Sequence, residues 1–409
     1  MKKLLGLLMV LALALPASAD VLNNVELKGE IQTIASGVKH NRANLYNQDV
    51  NNRVLAGLSA ELVEDVKANV LFQYTNIWDG DMNGDNINAY EARIRLSEAN
   101  VVLSNLFDCF EATIGRQFYG DENSAVMYIG PNHYNGEMNF APSLDAVKVT
   151  YSDDAKALTL IAGKLSDRAD LLDDDISVTG SLFGADFHMN LSEALTAQVY
   201  GYDVAHTQVW DTSVTPWTLL AEDEEFRHMG FWGAKVAFNP EAFLFSAEYA
   251  RNFNGRSLFK ESHKNGYMVK ADAAMNVEAA TVRGTFLYAN GNFFAMGNYT
   301  PGLLVGHYLG GDIWDYSEGG IRMFNVGFDY NLTTTWALAL DGYIFQDRTA
   351  KTTETYEADL NVKYTHNEYV QLFAGVGYAK YGNDATSDFN KAALGAEDIK
   401  GQLGMLINF

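Results

Sequence analysis

Two arginines spaced two residues apart, Arg93 and Arg95, form a distinctive charged pair in this sequence. Residues i and i+2 of an extended strand lie on the same face, so both guanidinium groups point the same way. Such a pair can attract a carboxylate or phosphate group of a solute. Alternatively, the arginines pair with Glu91, Glu111 and other carboxylates and stiffen a wall. The sequence leaves both interpretations open.

Many other charged side chains share one face of extended segments whose opposite face is apolar. A packed core does not accommodate them, because each buried charge needs a partner. A water-filled lumen does. Both signs are present, so no preference for cations or anions follows. The cations are Lys28, Arg53, Lys67, Arg93, Arg95, Lys148, Lys235, Lys270, Arg283 and Lys363, and the anions are Glu26, Glu30, Glu61, Glu91, Glu111, Asp186, Glu248, Asp272, Asp329, Asp341, Glu357 and Asp359.

Period-two alternation of apolar and polar residues recurs along the chain and predicts the strands that position these charges. The pattern indicates an all-β fold, a transmembrane antiparallel up-and-down β-barrel of about eighteen strands, with sixteen as the alternative. The predicted strands are 24–38, 53–64, 66–77, 88–103, 109–118, 145–153, 156–166, 177–190, 193–206, 228–239, 241–253, 266–275, 277–290, 320–331, 334–347, 353–366, 368–382 and 395–409.

Short turns and longer loops alternate between these strands, as they do in outer-membrane barrels. This alternation places both termini on the periplasmic side. Aromatic residues concentrate near strand ends, which predicts two interfacial girdles. The predicted turns are 64–65, 104–108, 153–154, 190–193, 239–240, 275–276, 331–334 and 366–368, and the predicted loops include 39–51, 119–144 and 291–319.

The two termini indicate where the protein is located. Residues 1–19 carry Lys2, Lys3, an apolar run and Ala17-Ser-Ala19, which predict a secretory signal peptide cleaved before Asp20. Residues 20–409 then form a single barrel domain. The last strand ends in Phe409, a terminal aromatic that we expect the barrel-insertion machinery to recognise. The predicted location is the outer membrane of a Gram-negative-type (diderm) bacterium.

The loop 119–144 is long enough to fold into the lumen and narrow it with Tyr128 and His133. It could equally remain at the cell surface, since long outer loops are common in such barrels. If it folds inward, the constriction would combine these residues with Arg93, Arg95 and Lys148.

A family resemblance lies around this loop. Gly115-Arg116-Gln117 and, after the loop, the segment 143–149 with Asp145 and Lys148 resemble a motif of alginate-export-type outer-membrane barrels. The resemblance implies eighteen strands and an arginine-rich lumen for an anionic polysaccharide, with Arg116, Gln117, Asp145 and Lys148 at the matching positions.

Two departures from the family pattern leave the substrate open. The arginine and glycine usual within the loop are replaced by Val126-Met-Tyr-Ile-Gly-Pro131, and the predicted lumen is not predominantly basic. Strand alternation also places Gln117, rather than Arg116, inside with Glu111, unless a bulge intervenes.

Other classes of function receive little support. Asp79, Asp81, Asn83 and Asp85 resemble the start of a calcium loop, but Tyr90 occupies the position that requires a carboxylate. A solvated acidic surface explains them as well, and no other cofactor is predicted. No catalytic triad or metalloprotease motif is evident, so no enzyme is predicted. The net charge of -23 argues against nucleic-acid binding.

The sequence therefore predicts an outer-membrane porin that admits small or anionic hydrophilic solutes, saccharides among them. The alternative is a structural or adhesive surface barrel without significant conductance. Outer-membrane lipid and lipopolysaccharide are the expected surroundings. The sequence identifies neither the solute nor the oligomeric state, monomer or trimer.

Overall fold

The computed structural model describes residues 23–40, 45–77, 93–134, 141–165, 176–211, 218–221, 229–253, 265–290, 293, 295–305, 320–347, 354–382 and 397–409. Most of these residues lie in strands. The strands are β1 (Asn23–His40), β2 (Leu45–Val63), β3 (Val66–Ile77), β4 (Arg93–Leu106), β5 (Phe110–Gln117), β6 (Tyr119–Gly120), β7 (Tyr128–Ile129), β8 (Leu144–Ser152), β9 (Lys156–Leu165), β10 (Ile176–Asn190), β11 (Leu195–Asp211), β12 (Thr218–Ala221), β13 (Met229–Phe238), β14 (Phe243–Phe253), β15 (Tyr267–Val277), β16 (Ala280–Asn290), β17 (Gly320–Asn331), β18 (Trp336–Asp347), β19 (Glu354–Thr365), β20 (Val370–Lys380) and β21 (Glu397–Asn408).

Eighteen of the described strands form one closed antiparallel barrel. Successive strands pair with each other around the wall, and β21 pairs with β1 to complete the ring. The short strand β12 pairs antiparallel with the end of β11, and β6 and β7 form a separate hairpin. The predicted fold is thus confirmed, and the sixteen-strand alternative is wrong.

Side chains alternate between the outer wall and the lumen along every strand. On the outside, Leu403 and Val326 are 63% and 68% exposed, as expected for residues that contact lipid. On the inside, Arg53 and Lys400 are fully buried among other lumen side chains. Within the described residues, no helix is long and apolar enough to cross a membrane.

Two predicted connections differ from the structure. The turn expected at 275–276 is wrong, because β15 continues to Val277 and Asn276 pairs with Thr281 across the strands. Glu278, in a left-handed conformation with φ of 53°, makes the turn instead. Strand β2 begins at Leu45, within the predicted loop 39–51, because this segment continues the pairing with β1.

Aromatic residues occupy both ends of the outer wall, as the girdle prediction requires. Phe243, Tyr330 and Trp336 lie exposed near the turns, and Trp232 and Tyr378 near the loops. Phe118 and Tyr119, at the end of the predicted strand 109–118, also belong to the predicted girdles, but Tyr119 is buried inside the lumen beside Tyr202. Phe118 also departs from the girdle, because it packs against the buried Leu55 and Leu71.

The seam between β1 and β21 closes at the last residue of the chain. Gly29 N–H donates to Phe409 O at 2.6 Å, and Phe409 N–H donates to Gly29 O at 3.0 Å. The Phe409 ring lies over Gly29, so that a Cβ at residue 29 would come within 2.7 Å of Phe409 Cζ and would clash with Leu55 O. Glycine is therefore required where the ring closes.

We expect Gly29→Val to destabilise the folded barrel by about 1–3 kcal/mol, because the new side chain displaces both the Phe409 ring and the neighbouring backbone. The measurement is the temperature at which the heat-modifiable band disappears in gel electrophoresis. Gly401→Val on the facing strand is the control, because nothing lies within 4 Å of the position that a Cβ would take there. Equal melting temperatures for the two variants would contradict this account of the seam.

Candidate channel constriction

The segment 118–134 folds into the lumen, which decides between the two alternatives for the described part of loop 119–144. Strands β6 and β7 form a hairpin in which Tyr119 pairs with Ile129. Val126 and Met127, at its tip, are 1% and 2% exposed. Their burial places apolar side chains where a simple pore would contain water.

A second inward segment, 293–305, interlocks with the first. Tyr128 N–H donates to Met296 O at 2.9 Å, Met296 N–H donates to Val126 O at 2.8 Å, and Asn298 N–H donates to Ser124 O at 3.0 Å. Met127 and Met296 form a parallel bridge. Two loops from distant parts of the chain therefore act as one backbone-bonded unit inside the barrel.

Charged contacts fasten the first segment to the wall. Arg53 Nη2 lies 2.7 Å from Glu30 Oε1, and Arg53 Nη1 donates to Asn132 O at 2.8 Å. His133 bridges two carboxylates, with Nε2 2.5 Å from Glu30 Oε2 and Nδ1 2.7 Å from Glu122 Oε2. Burial alone would lower the pKa of His133, but the hydrogen bonds and charges of Glu122 and Glu30 outweigh it and raise the pKa to about 9.

Two carboxylates on β19 fasten the second segment. Glu357 accepts hydrogen bonds from Leu304 N–H at 2.6 Å and Val305 N–H at 2.8 Å, and Asp359 accepts one from Leu303 N–H at 3.0 Å. The lumen carboxyl groups of Glu357 and Asp359 thus accept hydrogen bonds from the loop backbone, a role that sequence reasoning missed.

Inward-facing residues near the loop ends of the strands are apolar and pack against the two segments. Met268, Leu287, Met323 and Phe345 share a face with the lumen charges of their strands, yet each is at most 1% exposed. With Phe293 and other loop residues they form the main hydrophobic cluster. This change from charged to apolar on one strand face is the sequence signal that could have predicted the infolding.

A cavity of about 530 Å³ lies between the first segment and the wall formed by β8 to β14. Lys148, Lys235, Asp186 and Glu248 project into it from the wall, and Tyr119 closes it from the loop side. Among the described residues, neither lysine has a carboxylate within 4.0 Å; both differ in this from Lys28, which lies 2.6 Å from Glu98.

Tyrosines and carboxylates form a hydrogen-bonded row along this cavity. Tyr200 OH donates to Glu248 Oε1 at 2.6 Å, Tyr202 OH donates to Asp186 Oδ2 at 3.3 Å, and Tyr119 OH lies 3.4 Å from Tyr202 OH. Burial raises the pKa of Tyr119 to about 12, so its phenol stays neutral. His188 Nε2 lies 2.9 Å from Asp186 Oδ1. The wall therefore offers hydroxyl groups and both signs of charge.

A second cavity, of about 490 Å³, lies between the loops and the wall formed by β17 to β21. His133 and Tyr134 line it from the loop. The Tyr134 ring lies 5.0 Å from the Phe373 ring, and Lys363 Nζ lies 5.5 Å from the Tyr134 centroid. The infolded segments therefore leave space on two different sides of the barrel.

The structure separates the residues predicted for the constriction. Arg95 faces the lumen opposite Gln73, near the loop end of β4, but lines neither cavity. Glu111 lies near the turn end, because Ala112 pairs with Leu103. Eight residues of strand between Arg95 and Leu103 correspond to about 26 Å, so the expected pairing of Arg95 with Glu111 is wrong. The side chain of Arg93 and all of Glu91 lie outside the described residues.

Other predicted residues have contacts that limit their role. Arg283 is a lumen residue, but its guanidinium pairs with Asp329 at 2.7 Å and Asp341 at 2.8 Å. Tyr128 OH donates to Pro131 O within its own loop at 2.6 Å. Of the predicted set, Lys148 lines the first cavity and His133 the second.

Only half of the matching positions line the lumen as the family resemblance implies: Gln117 and Lys148 face inward, whereas Arg116 and Asp145 do not. Arg116 and Asp145 form a two-point ion pair, at 2.9 Å and 2.8 Å, on the outer face of the wall. Gln117 is 3% exposed on the inner side, as strand alternation predicts. Gly115 adopts φ of 120° and approaches Ala99 O, which a side chain would prevent. Gly115, Arg116 and Asp145 are therefore structural elements of β5 and β8.

No cluster of three or more His, Cys, Asp or Glu side chains in the described part of the chain is arranged to hold a metal ion. The calcium-loop candidates Asp79, Asp81, Asn83 and Asp85 lie outside the described residues. Cys109 lies in the turn between β4 and β5, with Sγ 3.3 Å from Phe107 O.

Comparisons with solved structures agree with this architecture. Acinetobacter baumannii OccAB2 matches with a TM-score of 0.65 and 10% identity, over 95% of this chain and 98% of that one. Pseudomonas aeruginosa OccD3 (OpdP) matches with a TM-score of 0.63 and 11% identity, over 95% and 92%. Pseudomonas aeruginosa OccK11 (OpdR) matches with a TM-score of 0.61 and 10% identity, over 95% and 97%.

The fold is that of an outer-membrane porin barrel. The similar structures are porins of the Occ/OprD type with eighteen strands. No family model matches the sequence, and no curated protein matches it. The alginate-export family that the motif suggests is thus not supported by these comparisons, whereas the porin-like barrel is.

Deprotonation of His133 should weaken the attachment of segment 118–134 to the barrel wall. Its folded-state pKa of about 9 lies above the ordinary value of 6.5, so this stabilisation is complete below pH 6.5 and is lost as the pH rises through 9. The loss amounts to about 3 kcal/mol. We expect thermal stability to fall between pH 7 and 10 in the wild type but not in His133→Gln. The same fall in the variant would refute the assignment.

Proposed function

We propose that this chain is an outer-membrane channel through which small hydrophilic solutes, including anionic ones and saccharides, diffuse. The observation that carries the proposal is the polar cavity between the inward loop and the wall, into which two lysines project. The porin fold and the charged lumen support it. An enzymatic role has no comparable support.

Lys148 and Lys235 supply the selectivity in this proposal. Most other lumen cations are neutralised by wall carboxylates, as in the pairs Lys270–Asp272 at 2.9 Å and Arg53–Glu30. A cation without such a partner retains more of its potential for a passing solute. The two lysines would therefore attract the acidic group of a solute into the cavity.

The tyrosine row would hold the rest of the solute. Tyr200 and Tyr202 present rings 5.9 Å apart, together with hydroxyl groups that already bond to carboxylates. Hydroxyls of a saccharide can exchange hydrogen bonds with these groups as they leave water. The inward loops limit size, and the lysines bias charge, so permeation would be electrostatically filtered diffusion.

A structural or adhesive barrel is the second candidate. The observation that favours it is the interlocked, apolar unit in the lumen, with Phe293 and Leu304 fully buried. Conductance in planar bilayers distinguishes the two candidates: steps of constant size support the channel, whereas a closed barrel supports the structural role. Lipopolysaccharide and the barrel-insertion machinery, the latter through Phe409, are the partners proposed with either function.

Replacing Lys148 and Lys235 together by alanine should shift selectivity towards cations. Each lysine contributes about 1 kcal/mol to a nearby anion in water-like surroundings, so we expect the anion-to-cation permeability ratio to fall at least fivefold. Reversal potentials under a salt gradient measure this ratio. Lys164→Ala, on the outer face of the same wall, is the control. An unchanged permeability ratio in the double variant would show that ions do not pass through this cavity.

Separating the two inward segments should widen the passage. A Cβ at Gly297 would come within 2.5 Å of Ala125 O in the facing backbone. Gly297→Leu should therefore disrupt the loop unit at a cost of about 1–3 kcal/mol and increase single-channel conductance. Gly342→Leu is the control, since its nearest neighbour would be 3.9 Å away. Conductance unchanged in Gly297→Leu would show that the loops do not form the constriction.

A further inference from the structure

The outer wall from β13 to β17 carries almost no charge. Among the described residues whose side chains alternate onto this outer face, only Arg251 and Arg322 are charged. Both lie within three residues of the loop ends of their strands, β14 and β17. The turn ends of the same strands present Phe238, Phe243 and Tyr330 instead. The two membrane interfaces of this sector therefore differ chemically.

A row of aromatic rings crosses β13 to β16 beside the two arginines. The Trp232 and Tyr249 rings are 5.6 Å apart, Tyr249 and Tyr267 are 6.3 Å apart, and Tyr267 and Tyr288 are 5.7 Å apart, the last two pairs stacked. The phenol oxygens of Tyr267 and Tyr288 lie within 3.5 Å of each other. The four rings thus form a continuous aromatic band on the outer wall, with hydroxyl groups along it; we call this band the ledge.

Strand register places Arg251 within this ledge, between Trp232 and Tyr267, and Arg322 at its β17 end. Arg251 pairs across the strands with Trp232 and Tyr267. Arg322 pairs with Tyr288 on one side and with Gln346 on the other, and its Nη1 donates to Gln346 Oε1 at 3.4 Å. Three interstrand spacings separate β14 from β17, which corresponds to about 14 Å. This separation suits two acidic groups carried by one extended molecule rather than one group held by both arginines.

Below the ledge, towards the turns, the wall is apolar. Val269, Phe286, Phe324 and Val326 face outward there, and Val326 is 68% exposed. A ligand of this surface must therefore combine acyl chains, a polar region that rests on aromatic rings, and anionic groups for two guanidinium groups. A charged arginine at the edge of hydrocarbon also requires an anionic or aqueous partner.

We propose that this sector binds a phosphorylated glycolipid of the outer leaflet. The acyl chains would cover the apolar wall, the sugar rings would lie on Tyr267 and Tyr288, and Arg251 and Arg322 would each bind a phosphate. Guanidinium groups recognise phosphate in a two-point geometry, and tyrosine and tryptophan favour the membrane interface. The proposal rests on the outer-membrane placement proposed above, but not on conduction.

The test is native mass spectrometry of the purified barrel with bisphosphorylated lipid A as the probe. We expect the wild type to retain the lipid, and Arg251→Gln/Arg322→Gln to bind it at least about tenfold more weakly. The matched control is Lys156→Gln, a basic residue at the turn end of β9. Lipid A without its phosphates, and phosphatidylethanolamine, should bind the wild type as weakly as lipid A binds the double variant.

Equal retention of lipid A by the wild type and the double variant would overturn the proposal, as would equal binding of the dephosphorylated lipid. A heat-modifiable band checks that the variant is folded. Tyr288→Leu, which removes one ring and keeps both arginines, should also weaken binding. Conductance should be unchanged in Arg251→Gln/Arg322→Gln, in Lys156→Gln and in Tyr288→Leu, because all of these side chains face away from the lumen. Failure of the channel proposal would therefore be observed separately from failure of this one.

Discussion

The backbone N–H and C=O groups of every wall strand need a partner, because hydrocarbon supplies none. Pairing of β21 with β1 completes the ring and satisfies both edges at once. Every other feature depends on this closure, since it divides the chain into an apolar outer face and an inner face that can hold charge. Gly29 and Phe409 meet where the ring closes, and so the last residue is part of the wall rather than a free end.

Inside the ring, most of the charged side chains hold other parts of the structure in place. Arg53, Glu30 and His133 attach one inward segment, and Glu357 and Asp359 hold the other through backbone N–H groups. These groups keep the loops in place because leaving any of them unpaired in the lumen is costly. Lys148 and Lys235 in the first cavity, and Lys363 in the second, are not used in this way. The division between structural and available charge is therefore a property of the contacts and not of the composition.

Strand alternation was enough to predict the wall from the sequence. The eighteen strands, their order and the lumen face of residues such as Asp186 and Gln117 follow from a period of two, because one face contacts lipid. The interior was less predictable. Contacts such as Met127 with Met296 join loops whose meeting no local pattern encodes. Arg95 and Glu111 both face the lumen, but they lie at different levels along the barrel axis. This level depends on the strand register and on the bulge in β4.

The interlocking of the two inward segments also constrains the order of assembly. Asn132 and Asn298, which share a hydrogen bond of 2.9 Å between the loops, are separated by 166 residues. Their segments can meet only after the strands that carry them, β5, β8, β16 and β17, have entered the same ring. Contacts of such long sequence separation slow folding, because the intervening chain must first be closed into a loop. The passage therefore reaches its final width only when both segments are in place inside the closed ring.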